Sequence, residues 1–200
     1  MDTRLNDICE LIKQYNCKVF IEVGVRFGTF AAELLEHSNL DLLWGIDINI
    51  PENLKKLEQT YGHRYQFIQG KSPDLASNFA DGYFDFIYLD ACHSYEHVIN
   101  EIPAWYRKLK IGGIMCGHDF LPNFVLPDEG LFGVDKAVIE FCEKHNIRWF
   151  LTGQNKELKC FLTRMDYATR QSEELMKKIN GLANNFVDIP NWWFIKEKDV

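Results

Sequence analysis

The sequence predicts an α/β domain built on a doubly wound, mostly parallel sheet with helices on both faces. Two observations carry this expectation. Short apolar runs of strand length alternate with amphipathic stretches of helical spacing along most of the chain. No internal repeat, low-complexity run or Pro/Gly-rich linker divides the 200 residues. Parallel neighbours must be joined by crossover connections, and helices are the usual way to make them.

Taken in order, Leu5, Ile8, Cys9, Leu11 and Ile12 suit a leading helix, and Val19–Val23 reads as a first buried strand ending in Gly24. Thr29 to His37 has helical spacing, with Phe30, Leu34 and Leu35 on its core face. Leu42 to Ile48 is a second strand, and Pro51 to Tyr61 a helix with proline at its start. Tyr65–Gln69 is a third strand and Ser72 to Phe79 a short helix. Phe84 to Leu89 is a fourth strand closed by Asp90, followed by a helix over Tyr95 to Leu109. Gly112-Gly113 turns the chain into a fifth strand, Ile114 to Gly117, and Val134 to His145 is helical. Arg148 to Thr152 and Leu158 to Arg164 read as a hairpin, which brings the count to seven strands and adds one antiparallel strand near the C-terminus. The expected organisation is one domain over 1–165, with a helix (Thr169 to Ala183) and the aromatic tail Trp192-Trp193-Phe194 over 166–200 packed on it.

An apolar share of 46% and a charged share of 26% belong to an ordinary globular chain. A net charge of -7 with no Lys/Arg cluster argues against a nucleic-acid partner, which would require a basic face. The six cysteines form no CxxC pair and no zinc-ligand spacing, so they read as reduced thiols. The N-terminal stretch lacks a signal-peptide apolar region, and no run approaches the roughly 20 residues of a membrane span. The expectation is a cytoplasmic protein with no membrane partner.

The candidate chemistry lies where strands end, because ligands of open α/β sheets bind at the carboxyl ends of strands near the topological switch. The first site is the turn from Glu22 to Thr29. Gly24 permits a tight turn, Gly28 lets backbone approach a ligand, and the helix N-terminus favours an anionic group. A dinucleotide fingerprint needs a glycine where Arg26 stands, and that side chain would obstruct a pyrophosphate. S-adenosylmethionine (SAM) has no pyrophosphate; its carboxylate would use the helix end and its ammonium would meet Glu22. The second site is Asp47, ending strand two with Ile48 beyond it, where a carboxylate can accept both ribose hydroxyls. The third is Gly70-Lys71-Ser72, which either contacts an adenine edge or caps the next helix. The fourth and fifth, Asp90 to Tyr95 and Gly117-His118-Asp119, meet on one rim. There Asp90, Asp119 and His118 could hold a divalent cation such as Mg2+, or His93 or His118 could act as general base beside Asp119. His37, His63, His97 and His145 read as solvated.

The ordered set Glu22-x-Gly24-x-x-x-Gly28, Gly45-Ile46-Asp47, Asp90-x-x-His93-Ser94-Tyr95, Gly112-Gly113 and Gly117-His118-Asp119 resembles the class I SAM-dependent methyltransferases. Within them it is most similar to the Methyltransf_24 branch, near cephalosporin hydroxylase and macrocin O-methyltransferase relatives. Gly133 to Val138 also resembles the helix after strand five there, and the similarity spans roughly residues 17 to 165. The resemblance implies a Rossmann-like sheet and a SAM site lined by Glu22, Gly24, Gly28, Asp47 and Gly70–Ser72, with Asp90 near the methyl group or a metal. The chain departs from the catechol O-methyltransferase pattern, which has Asp-Asn where His118-Asp119 stands, and has Ala91 where the branch often has glycine.

The expected activity is SAM-dependent O-methylation of a small hydroxylated molecule by SN2 transfer, with the loop Phe120 to Phe132 shaping the acceptor pocket. The alternatives are a nucleotide-dependent oxidoreductase and a non-catalytic SAM-binding module. Homo-oligomer formation is left open by the sequence.

Overall fold

The computed structural model describes residues 3–121, 125–126, 130–152 and 190–200. Its elements are α1 (Thr3–Gln14), β1 (Val19–Val23), α2 (Thr29–His37), β2 (Leu42–Asp47), α3 (Glu52–Tyr61), β3 (Tyr65–Gln69), β4 (Phe84–Leu89), α4 (Tyr95–Tyr106) and β5 (Leu109–Gly117). Then come β6 (Val125–Leu126), β7 (Gly130–Leu131), α5 (Val134–His145), β8 (Trp149–Leu151) and β9 (Trp192–Ile195). Seven strands form one sheet in the order β3-β2-β1-β4-β5-β9-β8, and β6 and β7 form a separate ribbon within the Phe120–Phe132 loop. The first five strands pair in parallel, whereas β9 runs antiparallel to both β5 and β8.

Alternation of side chains across the strands produces two cores. Ile21, Val23, Ile87, Leu89 and Met115 face α4 and α5, with Ile102, Trp105 and Val138 fully buried there. Phe20, Phe86, Tyr88 and Cys116 face α1, α2 and α3. Burial on both faces explains why β1 and β4 read as continuous apolar runs rather than alternating ones. Each large side chain removed from water contributes about 1.5–3 kcal/mol, so the central strands are rigid supports for the loops at their ends.

Three local expectations change. The helix after β4 ends at Tyr106, because Leu109 already pairs with Phe84 and Lys110 bonds the Asp85 carboxylate at 2.7 Å. The stretch from Ser72 forms only a 3-10 turn, Asp74–Asn78. Among the described residues, the strand that runs antiparallel in the sheet is the aromatic tail, which is inserted between β5 and β8 rather than laid over the domain. Trp192 and Phe194 are fully buried, and Lys196 locks the strand end. Its ammonium donates to the carbonyls of Tyr106 (3.1 Å) and Leu109 (2.9 Å) and pairs with Asp199. The expected strand Leu158 to Arg164 and helix Thr169 to Ala183 lie outside the described residues.

Candidate active site

The chain passes from β3 back to β4 across β1, so the strand ends of β1 and β4 form the switch of a doubly wound sheet. A cleft of about 730 Å³ opens there. Glu22, Gly24, Arg26, Thr29, Asp47, Ile48, Gly70, Lys71, Ser72 and Asp90 all line it, and His93 joins them. Ten of the eleven residues expected to bind cofactor thus share one cavity.

The exception is Gly28. It is buried at the start of α2 with φ +76°, and a Cβ there would meet the Leu57 and Leu54 side chains at 2.5 and 2.7 Å. Its glycine character serves a left-handed turn and close packing on α3, not approach of a ligand. Gly24 is the glycine the cleft requires. At φ +96° its backbone crosses directly over Asp90-Ala91, and a Cβ would collide with the Asp90 carbonyl. The Gly24 N–H donates to the Ile46 carbonyl (2.8 Å), which ties the turn to β2 as well.

Arg26 occupies the left-handed region at φ +53° despite its side chain, a conformation that costs a non-glycine residue of order 1 kcal/mol or more. Asp47 holds it there, since its Oδ2 accepts the Arg26 N–H at 2.8 Å while Oδ1 accepts the Asn49 N–H at 2.9 Å. Each carboxylate oxygen has a second lone pair, so these bonds leave Asp47 able to accept ribose hydroxyls.

Glu22 is 2% exposed, and its Oε2 has no hydrogen-bond partner among the described residues. Burial first, then the nearby Asp90 charge, pushes its carboxyl well above the ordinary range, with Arg4 pulling the other way. An orphaned buried carboxylate is costly, and a cationic ammonium brought into the cleft would relieve it. Arg4 reaches in from α1, pairing with Asp90 at 3.3 Å and lying 4.4 Å over the Phe30 ring.

At the other end, ligand-type atoms of Asp90, His93 and Asp119 lie within 4.8 Å of one another. His93 Nε2 is 2.9 Å from Asp119 Oδ2 and 3.6 Å from Asp90 Oδ1. Burial alone would lower the His93 pKa, but the adjacent Asp119 and Asp90 carboxylates win and push it up to about 11. Burial likewise opposes ionisation of Asp119, yet the hydrogen bonds from His118 and His93 hold its carboxyl well below the usual range. Asp119 adopts φ +58° just past β5, strain placed where the chain must turn its carboxylate into the rim. His118 was grouped by sequence with Asp90 and Asp119 as a ligand. The structure puts His93 in that cluster instead, while His118 Nδ1 bonds the other oxygen of Asp119 at 3.0 Å.

Two cleft residues escaped the sequence reading. Arg4 stands in the first turn of α1 with no motif to mark it, and Glu101 is an interior residue of α4 with only its i+4 spacing from His97 to mark it. His97, read as solvated, is exposed but borders the cleft, its Nδ1 2.8 Å from Ser94 Oγ. Phe120 and Leu121, expected to shape the acceptor pocket, are buried in the core, whereas Phe132 stacks on His93 at 4.5 Å.

Comparisons with known proteins give the family and the fold. Residues 21–120, half of the chain, match the Methyltransf_24 model, described as a methyltransferase domain. No curated protein matches the chain significantly. Among solved structures, a candidate caffeoyl-CoA O-methyltransferase from Staphylococcus aureus is 16% identical with a TM-score of 0.58, covering 96% of this chain and 82% of its own. A candidate O-methyltransferase from Klebsiella pneumoniae is 11% identical with a TM-score of 0.65, covering 99% and 81%. The 1,6-didemethyltoxoflavin-N1-methyltransferase of Burkholderia thailandensis, solved with S-adenosylhomocysteine, is 13% identical with a TM-score of 0.64, covering 98% and 80%. At such identities these likenesses establish the fold, and the family-model match establishes membership: the chain belongs to the Methyltransf_24 family of SAM-dependent methyltransferases.

Proposed function

We propose that the protein transfers the SAM methyl group to a hydroxyl of a small molecule. The observation that carries the reading is the polarity along one cleft. Glu22, whose buried Oε2 has no hydrogen-bond partner among the described residues, and Asp47 line it, suited to the ammonium and ribose, and Asp90 and His93 line it too, with the Asp119 carboxylate 2.9 Å behind His93 Nε2. In this reading the acceptor oxygen attacks the methyl carbon as the carbon–sulfur bond breaks. The sulfonium becomes the thioether of S-adenosylhomocysteine, and the hydroxyl proton passes to a carboxylate of the cluster, since His93 already holds its proton. Asp119 and Asp90 orient the acceptor by accepting its hydrogen bond, and alignment of nucleophile, carbon and sulfur supplies much of the rate.

The donor set of Asp90, His93 and Asp119 also suits a divalent cation, which would take His93 as the neutral imidazole and displace its proton. Such an ion would lower the pKa of a bound hydroxyl. Nothing else in the reading depends on it. An Asp119→Asn variant tests the assignment: S-adenosylhomocysteine release with a panel of hydroxylated acceptors should fall about 100-fold, while SAM affinity stays within about threefold. Transfer to amines but not to hydroxyls, or an unaffected Asp119→Asn rate, would contradict it. Repeating the panel after chelation and with Mg2+ restored determines whether the ion takes part.

A further inference from the structure

Glu101 is the one buried acid of the cleft that the proposed transfer leaves without a role. It stands in α4, is 3% exposed, and borders the same cavity as Ser72. It forms no ion pair among the described residues; its neighbour is the Ser72 hydroxyl, whose oxygen accepts the Trp105 indole N–H at 2.7 Å. Burial raises its pKa to about 7, with the Ser72 bond and the His93 charge pulling it down. A structural carboxylate would be expected to have a cation or several N–H donors, so a buried one opening into a cleft is suited to a ligand.

Its place along the rim identifies which part of the ligand. The strand ends run β3, β2, β1, β4, β5 at about 4.8 Å spacing. Ser72 follows β3 and Asp119 follows β5, so the pair Ser72–Glu101 lies toward the end opposite the end at which Asp119 stands. With the ribose on Asp47 at β2 and the methyl toward β4 and β5, the nucleobase falls beside Ile48, Ser72 and Glu101. The exposed Ile48 offers an apolar face for a flat ring.

We propose that Glu101 reads the adenine of SAM, its carboxylate accepting a hydrogen bond from the exocyclic 6-amino group. This rests on the SAM reading above. An analogue with a 6-keto oxygen would instead turn a lone pair toward the carboxylate, and a site built to bond an N–H rejects a ligand lacking it.

Calorimetry on the full chain at pH 8 tests this with S-adenosylhomocysteine, its hypoxanthine analogue and its purine analogue lacking the amine. The parent should bind the adenine compound about 10- to 100-fold more tightly than either analogue. In Glu101→Gln the amide can donate to the keto oxygen, and the preference over hypoxanthine should shrink to about threefold or less. An equally large preference in the variant overturns the proposal. So does equal binding of adenine and purine compounds to the parent, an arm that needs no variant. No binding of S-adenosylhomocysteine to the parent would overturn the SAM reading itself, a separate outcome from loss of base discrimination.

Discussion

Substituting Gly24→Ala should damage both folding and cofactor binding, and the structure gives the size of the effect. The new methyl carbon would lie 2.5 Å from the Asp90 carbonyl carbon and 2.7 Å from the Ala91 Cα, both backbone atoms that no rotamer change can move. Restoring an ordinary 3.4 Å contact needs a displacement of about 0.9 Å at the first atom. That opening falls on the Asp90 N–H to Val23 carbonyl bond, now 2.8 Å. Its loss costs about 1 kcal/mol, the left-handed backbone at φ +96° adds about 1–2 kcal/mol, and overpacking adds about 1–3 kcal/mol. The variant should lose about 3–6 kcal/mol in urea unfolding and about 10 °C or more in Tm. Its SAM affinity should fall more than about 10-fold, because Gly24 and Asp90 both line the cleft. Gly28→Ala is the contrast, since its methyl meets only leucine side-chain carbons and its backbone is strained less. It should cost about 1–2 kcal/mol and leave SAM affinity within about threefold. Parental stability and affinity in Gly24→Ala, or equal loss of affinity in both variants, would refute the reasoning.

Asp47→Ala removes a charged acceptor and the anchor of the strained Arg26 turn, so SAM affinity in calorimetry should drop about 10- to 100-fold. Glu101 gives a pH signature. Its folded pKa of about 7 lies above the ordinary glutamate value of 4.5, so stability is fully present below pH 4.5 and falls as pH rises through 7. Relative to Glu101→Gln, the parent should lose up to about 3 kcal/mol across that window in urea titrations, and parallel pH curves would contradict the assignment. Deleting residues 190–200 removes the strand between β5 and β8 together with the Lys196 lock. The truncated chain should fail to unfold cooperatively, whereas a tail that merely covered the domain would leave a sharp transition.

Much of this was legible in the sequence because the central strands are buried on both faces. Val19–Val23 and Phe84–Leu89 are apolar-rich runs bounded by turns, and the structure keeps those limits, as it does for the alternating edge strand Tyr65–Gln69. Helices α2 and α5 likewise begin and end where their spacing does. The failures arise where a distant partner decides. Trp192-Trp193-Phe194 has no local mark of a sheet strand; its partners are β5, some 75 residues earlier, and β8. Leu109 could extend a helix by propensity, but pairing with Phe84 claims it for β5. Gly28 fits a ligand-binding motif and packs on leucines from α3, which only the fold brings near. The sequence favours His118 as the ligand beside Asp90 and Asp119, and only the folded rim shows that His93 is the imidazole facing Asp90. Glu101 resembles any helix-face carboxylate until α4 is laid beside Ser72.

The central claim, that the β1–β4 rim binds SAM, is tested most directly by calorimetric titration of the full chain with SAM and, separately, with NADH. The structure predicts saturable one-site binding of SAM, weakened in Asp47→Ala, and no binding of NADH, because Arg26 stands where a pyrophosphate would need glycine. Binding of NADH without SAM would contradict it.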